Sequence, residues 1–403
     1  MKIKENLHAY AYLDKFILHN VLRSSWIVIS KKELELILLQ KYTELSETTQ
    51  KKINMFQLFL DQPLNIERSE ITIPQTVYLV LTHQCNLTCV YCYAEAEMTK
   101  NYTNPLTFVE WFHTLNQLKD CGVKNVIFTG GEIGLNDDSL KYIDYAHQIG
   151  LSVGLITNGT LLGKKSNAQF LATRCQSITI SLDSIDKEEN DKNRGRGCYE
   201  IAMRAIKHLL AIGYKNISVN TTVTSNNLES IDNTIEFFKK NNISFKLGGF
   251  SELGRGSKAA ISLTFEERVC IECKEKDEQR SSYLKPFTMK ESCGLGIGEF
   301  AINPLGDVYA CKLLESEDYK LGNIRQQTLQ EIYQQKNTRF LETQNIHHLT
   351  ECQKCSFRYL CGGGCRANHY YHTNDFKGVD PSECRLLKEL IKNQMYRLWQ
   401  EKE

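Results

Sequence analysis

The chain has 403 residues, 41% of them hydrophobic, and a formal net charge of +1. That is apolar material for two or three packed domains, and so balanced a charge leaves no global field to draw nucleic acid, a membrane surface or an acidic partner. The opening MKIKENLHAY carries charges where a signal peptide needs an apolar core, and no run approaches the roughly eighteen apolar residues that span a bilayer, so a soluble cytoplasmic protein is expected.

Residues 1–70 read as strands (YAYLD, KFILHNVL, SSWIVIS) followed by helical spacing in KKELELILLQKY and TTQKKINMFQLFLD. From 71 to 255 strand and helix alternate. TVYLVLT, KNVIFTG, LSVGLIT, SITISLD, ISVNTTVT and ISFKLGGF are the strands, with helical stretches at 106–120, 138–149, 163–173, 198–213 and 226–241. Six strands separated by helices predict an α/β protein with a parallel sheet, because parallel neighbours need crossovers of that length. Periodicity alone leaves a partial barrel and a doubly wound sheet both open. From 256 to 403 the alternation stops, cysteines crowd in, and a helix is expected over 382–401.

Fifteen cysteines are odd in a reducing compartment, where structural disulfides are rare, and metal binding is the better default. Cys85, Cys89 and Cys92 follow the first strand of the sheet in LTHQCNLTCVYCY, a CxxxCxxC spacing. A structural zinc usually takes four protein ligands. A cubane iron–sulfur cluster held by three thiolates instead leaves one iron open to bind something else.

The loop resembles the signature of the radical S-adenosylmethionine (SAM) superfamily. The resemblance implies a partial (β/α)6 TIM-type barrel and a [4Fe–4S] cluster on the three cysteines. It also implies that SAM binds the open iron and is cleaved to methionine and a 5′-deoxyadenosyl radical, which abstracts a substrate hydrogen. It places Tyr91 beside the adenine and gives TGGE, with Gly130, Gly131 and Glu132, the methionyl amine. SLD, with Ser181 and Asp183, resembles the ribose contacts. Arg194 resembles the partner of the SAM carboxylate, with Arg196 close enough to be confused with it. TNG at 157–159 is typical of the third strand.

Downstream, Cys293, Gly306 and Cys311 are followed by CQKCSFRYLCGGGC and then Cys384. A zinc ribbon would explain the central cluster alone. Taken whole, the seven cysteines resemble the SPASM domain, which carries two auxiliary [4Fe–4S] clusters on peptide-modifying radical SAM enzymes. That resemblance assigns Cys352, Cys355, Cys361 and Cys384 to a distal cluster, and Cys293, Cys311 and Cys365 to a proximal one. The fourth proximal ligand stays open between Cys270, Cys273 and no protein ligand. Cys384 follows DPS, with Asp380 as N-cap and Pro381 in the first turn, so its thiolate is expected near a helix N-terminus. Cys121, Cys175 and Cys198 read as structural.

The resemblance therefore implies an enzyme with three [4Fe–4S] clusters and SAM. It would act on a ribosomally made precursor peptide, forming a thioether or carbon–carbon crosslink, with an electron donor such as flavodoxin or ferredoxin. The alternative is an anaerobic sulfatase-maturating enzyme that makes formylglycine. Those enzymes carry an aspartate base after the cysteine matching Cys311, where this chain has Lys312. An ammonium is no base at neutral pH without a large fall in its pKa, and no catalytic acid or base is assigned. Residues 1–70 resemble, in order of elements, the small leader-peptide-binding domains that add a strand to an exposed sheet edge. A structural cap is the other reading.

Overall fold

The computed structural model describes residues 1–63, 72–278, 289–334 and 339–400. The expected boundary near residue 70 and the last residue of the helix expected over 382–401 lie outside them. The described residues of 1–69, 272–293 and 342–403 gather into one compact unit, and those of 70–271 and 294–341 into another.

The first unit opens with an antiparallel sheet of β1 (Leu7–Tyr12), β2 (Lys15–Asn20) and β3 (Ser25–Ile29), in that order. Two helices follow, α1 (Lys31–Leu38) and α2 (Glu47–Met55). Ser30 and Glu33 close a capping box on α1, each side chain bonding the other's backbone N–H. The outer edge of β1 is covered by the chain's own start: Met1 and Ala9 exchange backbone hydrogen bonds at 2.7 and 2.8 Å. β3 is the other edge of this sheet.

The second unit is built on β4 (Thr76–Val80), α3 (Phe108–Asp120), β5 (Asn125–Thr129), α4 (Ser139–Gln148), β6 (Ser152–Thr157), α5 (Lys165–Ala172), β7 (Cys175–Ser181), α6 (Lys187–Arg194), α7 (Cys198–Ala211), β8 (Ile217–Val223), α8 (Ile231–Lys240) and β9 (Ser244–Gly249). β4 to β9 are parallel and lie side by side in chain order. A doubly wound sheet must reverse its strand order at a switch point. None occurs here, so the sheet is the partial (β/α)6 barrel. The residues buried at the strand centres, among them Val77, Leu79, Val126, Phe128, Ile178, Ile180 and Val219, fill its core.

The strand alternation does not stop where the sequence reading ended it. After α9 (Phe265–Glu278), β10 (Phe300–Ile302) pairs parallel to β4, and β11 (Asp307–Tyr309) and β12 (Lys320–Asn323) continue antiparallel, making nine strands. β10 and β11 are three residues each, with every residue buried, so they have no room for a two-residue alternation to show. α10 (Leu329–Gln334) and α11 (Arg339–Thr343) follow.

The rest of the first unit comprises α12 (Thr350–Gln353), α13 (Arg358–Cys361), α14 (Arg366–Thr373) and α15 (Pro381–Gln400). Ile391, Met395, Tyr396 and Trp399 of α15, with Phe357 and Leu360, share one core with Ile17, Leu18, Ile27, Ile37 and Ile53 of the N-terminal segment. The Trp26 indole N–H donates to Met395 O at 3.1 Å, and the Lys52 ammonium stands 4.1 Å from the Trp399 ring. Cys355 and Cys361 pack against this core.

Candidate functional site

The cysteine loop leaves β4 and folds back on the glycine turn after β5. Gly131 N–H donates to Thr82 O at 2.7 Å and Glu132 N–H to Gln84 O at 2.8 Å. A Cβ on Gly130 would lie 2.4 Å from Thr82 O, and one on Gly131 2.3 Å from Gln84 O. The two glycines are therefore demanded by backbone contact with the cysteine loop. TNG ties in as well, because Asn158 Nδ2 donates to Asn86 Oδ1 at 2.9 Å.

The end of α6 holds the other side of the loop. Val90 N–H donates to Asn193 O at 3.0 Å, the Cys89 thiol reaches Arg194 O at 3.7 Å, and the Tyr91 hydroxyl donates to Asp183. Arg194 Nη2 donates to Asp183 Oδ1 at 2.9 Å. Burial opposes the charge on Arg194, yet Asp183 and the groups around it hold the guanidinium firmly protonated. Burial pushes the Tyr91 phenol far up, so it stays neutral and donates.

These pieces enclose a cavity of about 340 Å³, lined by Cys85, Cys89 and Cys92 and by the C-terminal ends of five strands: Thr129 of β5, Thr157 of β6, Ser181 of β7, Thr222 of β8 and Gly249 of β9. Strand C-terminal ends are where barrel sites form. Tyr91, Gly130, Gly131, Ser181 and Arg194 are all on this wall. Glu132 and Asp183 stand behind it. Glu132 is 1% exposed and accepts from Thr157 Oγ1, Asn158 N–H and Gly134 N–H at 2.7, 2.7 and 3.0 Å. Burial raises its pKa against those three donors. Asp183 is spent on Arg194, Tyr91 and the Thr222 N–H.

The wall also holds residues that sequence reasoning missed. Asn220 and Thr222 are on β8, and Thr222 lies near its end, where the strand-end rule would have found it. Arg255 donates to Cys89 O at 2.9 Å and to Ala96 O at 3.0 Å. Lys312 and Leu313 join the same wall.

No group binds without a donor set to match. Among the described residues the wall offers thiols but no His, Asp or Glu, the soft set that iron–sulfur clusters take. No three His, Cys, Asp or Glu side chains among the described residues converge on a single point. A cubane does not ask for that, since each thiolate binds a different iron. Burial pushes the Cys85 thiol up to about 11 and raises Cys89 as well, so loading must displace protons.

A second regularity concerns sulfur acceptors. Leu87 N–H donates to Cys85 Sγ at 3.4 Å, Leu313 N–H to Cys311 Sγ at 3.5 Å and Phe357 N–H to Cys355 Sγ at 3.4 Å. Gly363 and Gly364 N–H bond Cys361, and Ala367 and Asn368 N–H bond Cys365. Such turns hold thiolates and tune clusters. Cys121 and Cys175 have no such turn, and the donor to Cys198 is the Asn190 side chain.

In the first unit Cys352 is pushed up to about 12 by burial and by the charges of Cys361, Cys384 and Cys355, so these four are neighbours. Gly362, Gly363 and Gly364 turn the chain between Cys361 and Cys365 with φ of +68°, +85° and +68°. Cys384 lies in the first turn of α15, where Asp380 accepts from Ser382 N–H at 3.0 Å. Cys365 is next to Cys293, whose charge it feels. Cys311 follows β11 in the other unit. On α9, Cys270 is exposed and Cys273 is buried beside Tyr12.

A family description for the radical SAM superfamily matches residues 79–238, and one for an iron–sulfur cluster-binding domain, SPASM, matches 293–356. The mycofactocin maturase MftC of Mycobacterium tuberculosis is 25% identical over 319 residues, 75% of this chain and 81% of that one. An AdoMet-dependent heme synthase of Methanosarcina barkeri is 27% identical over 76% of this chain and 95% of its own length. The antilisterial bacteriocin subtilosin biosynthesis protein AlbA of Bacillus subtilis is 29% identical over 76% of this chain and 71% of its own. The crystal structure of Streptococcus suis SuiB bound to precursor peptide SuiA shares the fold, with a TM-score of 0.64 over 95% of this chain and 99% of that one, at 18% identity. The cysteine cavity at the strand ends and both family matches agree: the chain is an enzyme of the radical SAM superfamily, in the branch whose members add a SPASM iron–sulfur domain.

Proposed function

We propose that this enzyme modifies a ribosomally made precursor peptide, forming a thioether or carbon–carbon crosslink. The observation that carries the reading is that Lys312 and Leu313, which directly follow the SPASM cysteine Cys311, line the same cavity as Cys85, Cys89 and Cys92. MftC and AlbA, both maturation or biosynthesis proteins by name, and SuiB with its bound precursor peptide support a peptide substrate. The heme synthase shows that the same architecture also serves a different substrate class.

The proposed ligand sets are Cys85, Cys89 and Cys92 for the SAM cluster, Cys352, Cys355, Cys361 and Cys384 for the distal cluster, and Cys293, Cys311 and Cys365 for the proximal one. When bound, these groups supply the electron that cleaves SAM to a hydrogen-abstracting 5′-deoxyadenosyl radical, and a route for the electron that crosslinking releases. The chain's own share is positioning. Gly130 and Gly131 would present backbone to the methionyl end of SAM, Ser181 would take the ribose, and the Tyr91 ring, locked by Asp183, would hold the adenine. Arg194 would offer its guanidinium to the SAM carboxylate. Flavodoxin or ferredoxin in the cytoplasm would deliver the first electron. No helix of the described residues is long and apolar enough to cross a membrane.

Formylglycine formation is the alternative. It asks for a carboxylate base where Lys312 stands, and among the described residues the cavity wall has none. Burial lowers the pKa of Lys312, and the charges of Glu299 and Cys311 offset only part of that fall. Co-expression with a precursor encoded beside the gene, followed by mass spectrometry, separates the readings. A crosslink removes two hydrogen atoms and joins two residues in fragmentation, whereas formylglycine replaces a single Cys or Ser side chain by an aldehyde.

For residues 1–69 the shared core with α15 supports the cap reading, and β3, the edge strand not closed by the N-terminus, is where a leader strand would add.

A further inference from the structure

The charge of the cavity wall is lopsided. Arg194, Arg255 and Lys312 line it, and no Asp or Glu does among the described residues. Two of the three cations are answered by protein oxygens. Arg194 has Asp183 at 2.9 Å, and Arg255 has the carbonyls of Cys89 and Ala96 at 2.9 and 3.0 Å. Lys312 differs. Its ammonium sits over the Tyr78 ring, 3.7 Å from the centroid, and makes no hydrogen bond or ion pair among the described residues. Glu299 and the neighbouring Cys311 attract it without forming an ion pair, and Lys246 repels it.

A partly buried ammonium that lies on a ring face and makes no hydrogen bond has donor capacity unused, and withdrawing a charge from water without a close partner carries a cost. A ligand that brings an anion removes that cost. SAM has a single carboxylate, and Arg194, whose buried Nε makes no hydrogen bond among the described residues, is the cation proposed above to take it.

We propose that Lys312 is a specificity residue that pairs with a carboxylate of the substrate, an Asp or Glu side chain or a C-terminal carboxylate next to the reacting carbon. This deepens the peptide reading above and rests on it. A lysine suits the role because its compact charge on a flexible stem accepts a carboxylate from several directions, without the fixed fork of an arginine. It also accounts for the lysine at this position: the residue binds an acid and does not remove a proton.

The test uses the full chain loaded with its clusters, with SAM and dithionite, comparing variants at equal iron content. The probes are Ac-Gly-X-Gly-NH2 with X as Asp, Glu, Asn, Gln or Lys, at millimolar concentration, plus glutarate and glutaramide. The readout is 5′-deoxyadenosine formed above the probe-free rate, expressed as a ratio of acid to amide within each variant. Wild type should favour the acids by about tenfold, a ratio worth about 1.4 kcal/mol. Lys312→Met should bring the ratio to about one, and Lys312→Glu should turn the preference to the lysine peptide. Equal response to acid and amide in wild type, an unchanged preference in Lys312→Glu, or no response to any acid would overturn the proposal. So would a Lys312→Met variant that binds SAM tenfold more weakly with the ratio intact, since Lys312 would then hold SAM itself. A response to glutarate over glutaramide with none to any peptide would retain the carboxylate site and defeat the peptide reading instead.

Discussion

Arg194 Nη2 meets Asp183 Oδ1 at 2.9 Å, with the two side chains 8% and 0% exposed. The pair joins the end of α6 to the end of β7, and through Tyr91 it fixes the cysteine loop between them. Removing one member of a buried pair strands the other charge, which typically costs 3–5 kcal/mol. Asp183→Ala should therefore destabilise the fold by about that amount in urea unfolding. Tyr91→Phe, which removes one hydrogen bond, should cost about 1 kcal/mol. Equal effects from the two variants would mean that the ion pair is not what holds the loop.

Replacing Cys85, Cys89 and Cys92 together by Ala should lower iron from about twelve to about eight per chain and abolish 5′-deoxyadenosine formation. Iron analysis and product chromatography check the two halves separately. Normal SAM cleavage by this variant would remove the assignment of the cavity.

Cys361→Ala should take about four irons from the first unit and leave SAM cleavage in the absence of peptide measurable. The four-thiol neighbourhood of Cys352, Cys355, Cys361 and Cys384 is what this predicts from. Unchanged iron content would show that the four do not share a cluster.

The N-terminal segment shares its core with α15. Trp399 is 6% exposed, and Trp399→Ala should cost about 3–5 kcal/mol. A chain starting at Pro74 strips the partners of Ile391, Met395 and Trp399 and should be poorly soluble or short of distal-cluster iron. A soluble, fully loaded truncation would show that the segment is an independent module.

Much of this architecture was legible in advance. The six parallel strands and five of their helices announced themselves because the strands carry apolar runs or a two-residue apolar alternation and those helices each have an apolar face, whereas α6, KEENDKNR, has no apolar residue to give it away. The cysteine spacing was equally plain, since a loop of eight positions must bring its thiols close. Three further things were not legible. β10 and β11 are too short for any period. The packing of α15 on β1–β3 links residues far apart in the chain, 369 positions for Trp26 and Met395, and no local pattern encodes it. Arg255 lies far from any motif, in a 3-10 turn after β9, and enters the site only through the fold.

Glu110 offers a pH test of the barrel scaffold. Hydrogen bonds from Arg325 and from the Thr107 N–H pull its pKa down to about 2. A depressed carboxyl contributes stability above its unfolded value near 4.5 and loses it as pH falls through the folded value. Because the pair is partly exposed, the gain is about 1 kcal/mol or less. Arg325→Ala should thus be less stable than wild type at pH 7, with the gap closing between pH 4.5 and 2 in thermal melts. A gap independent of pH would place the effect in packing.

The most direct test of the account follows a single hydrogen atom. The loaded enzyme is given SAM, dithionite and its precursor peptide deuterated at the side-chain carbons, and the 5′-deoxyadenosine is weighed by mass spectrometry. The account predicts that deuterium passes from peptide to 5′-deoxyadenosine while the peptide loses two hydrogen atoms and gains a crosslink, and that the Cys85, Cys89 and Cys92 triple variant does neither. Deuterium-free 5′-deoxyadenosine beside an unaltered peptide would contradict it.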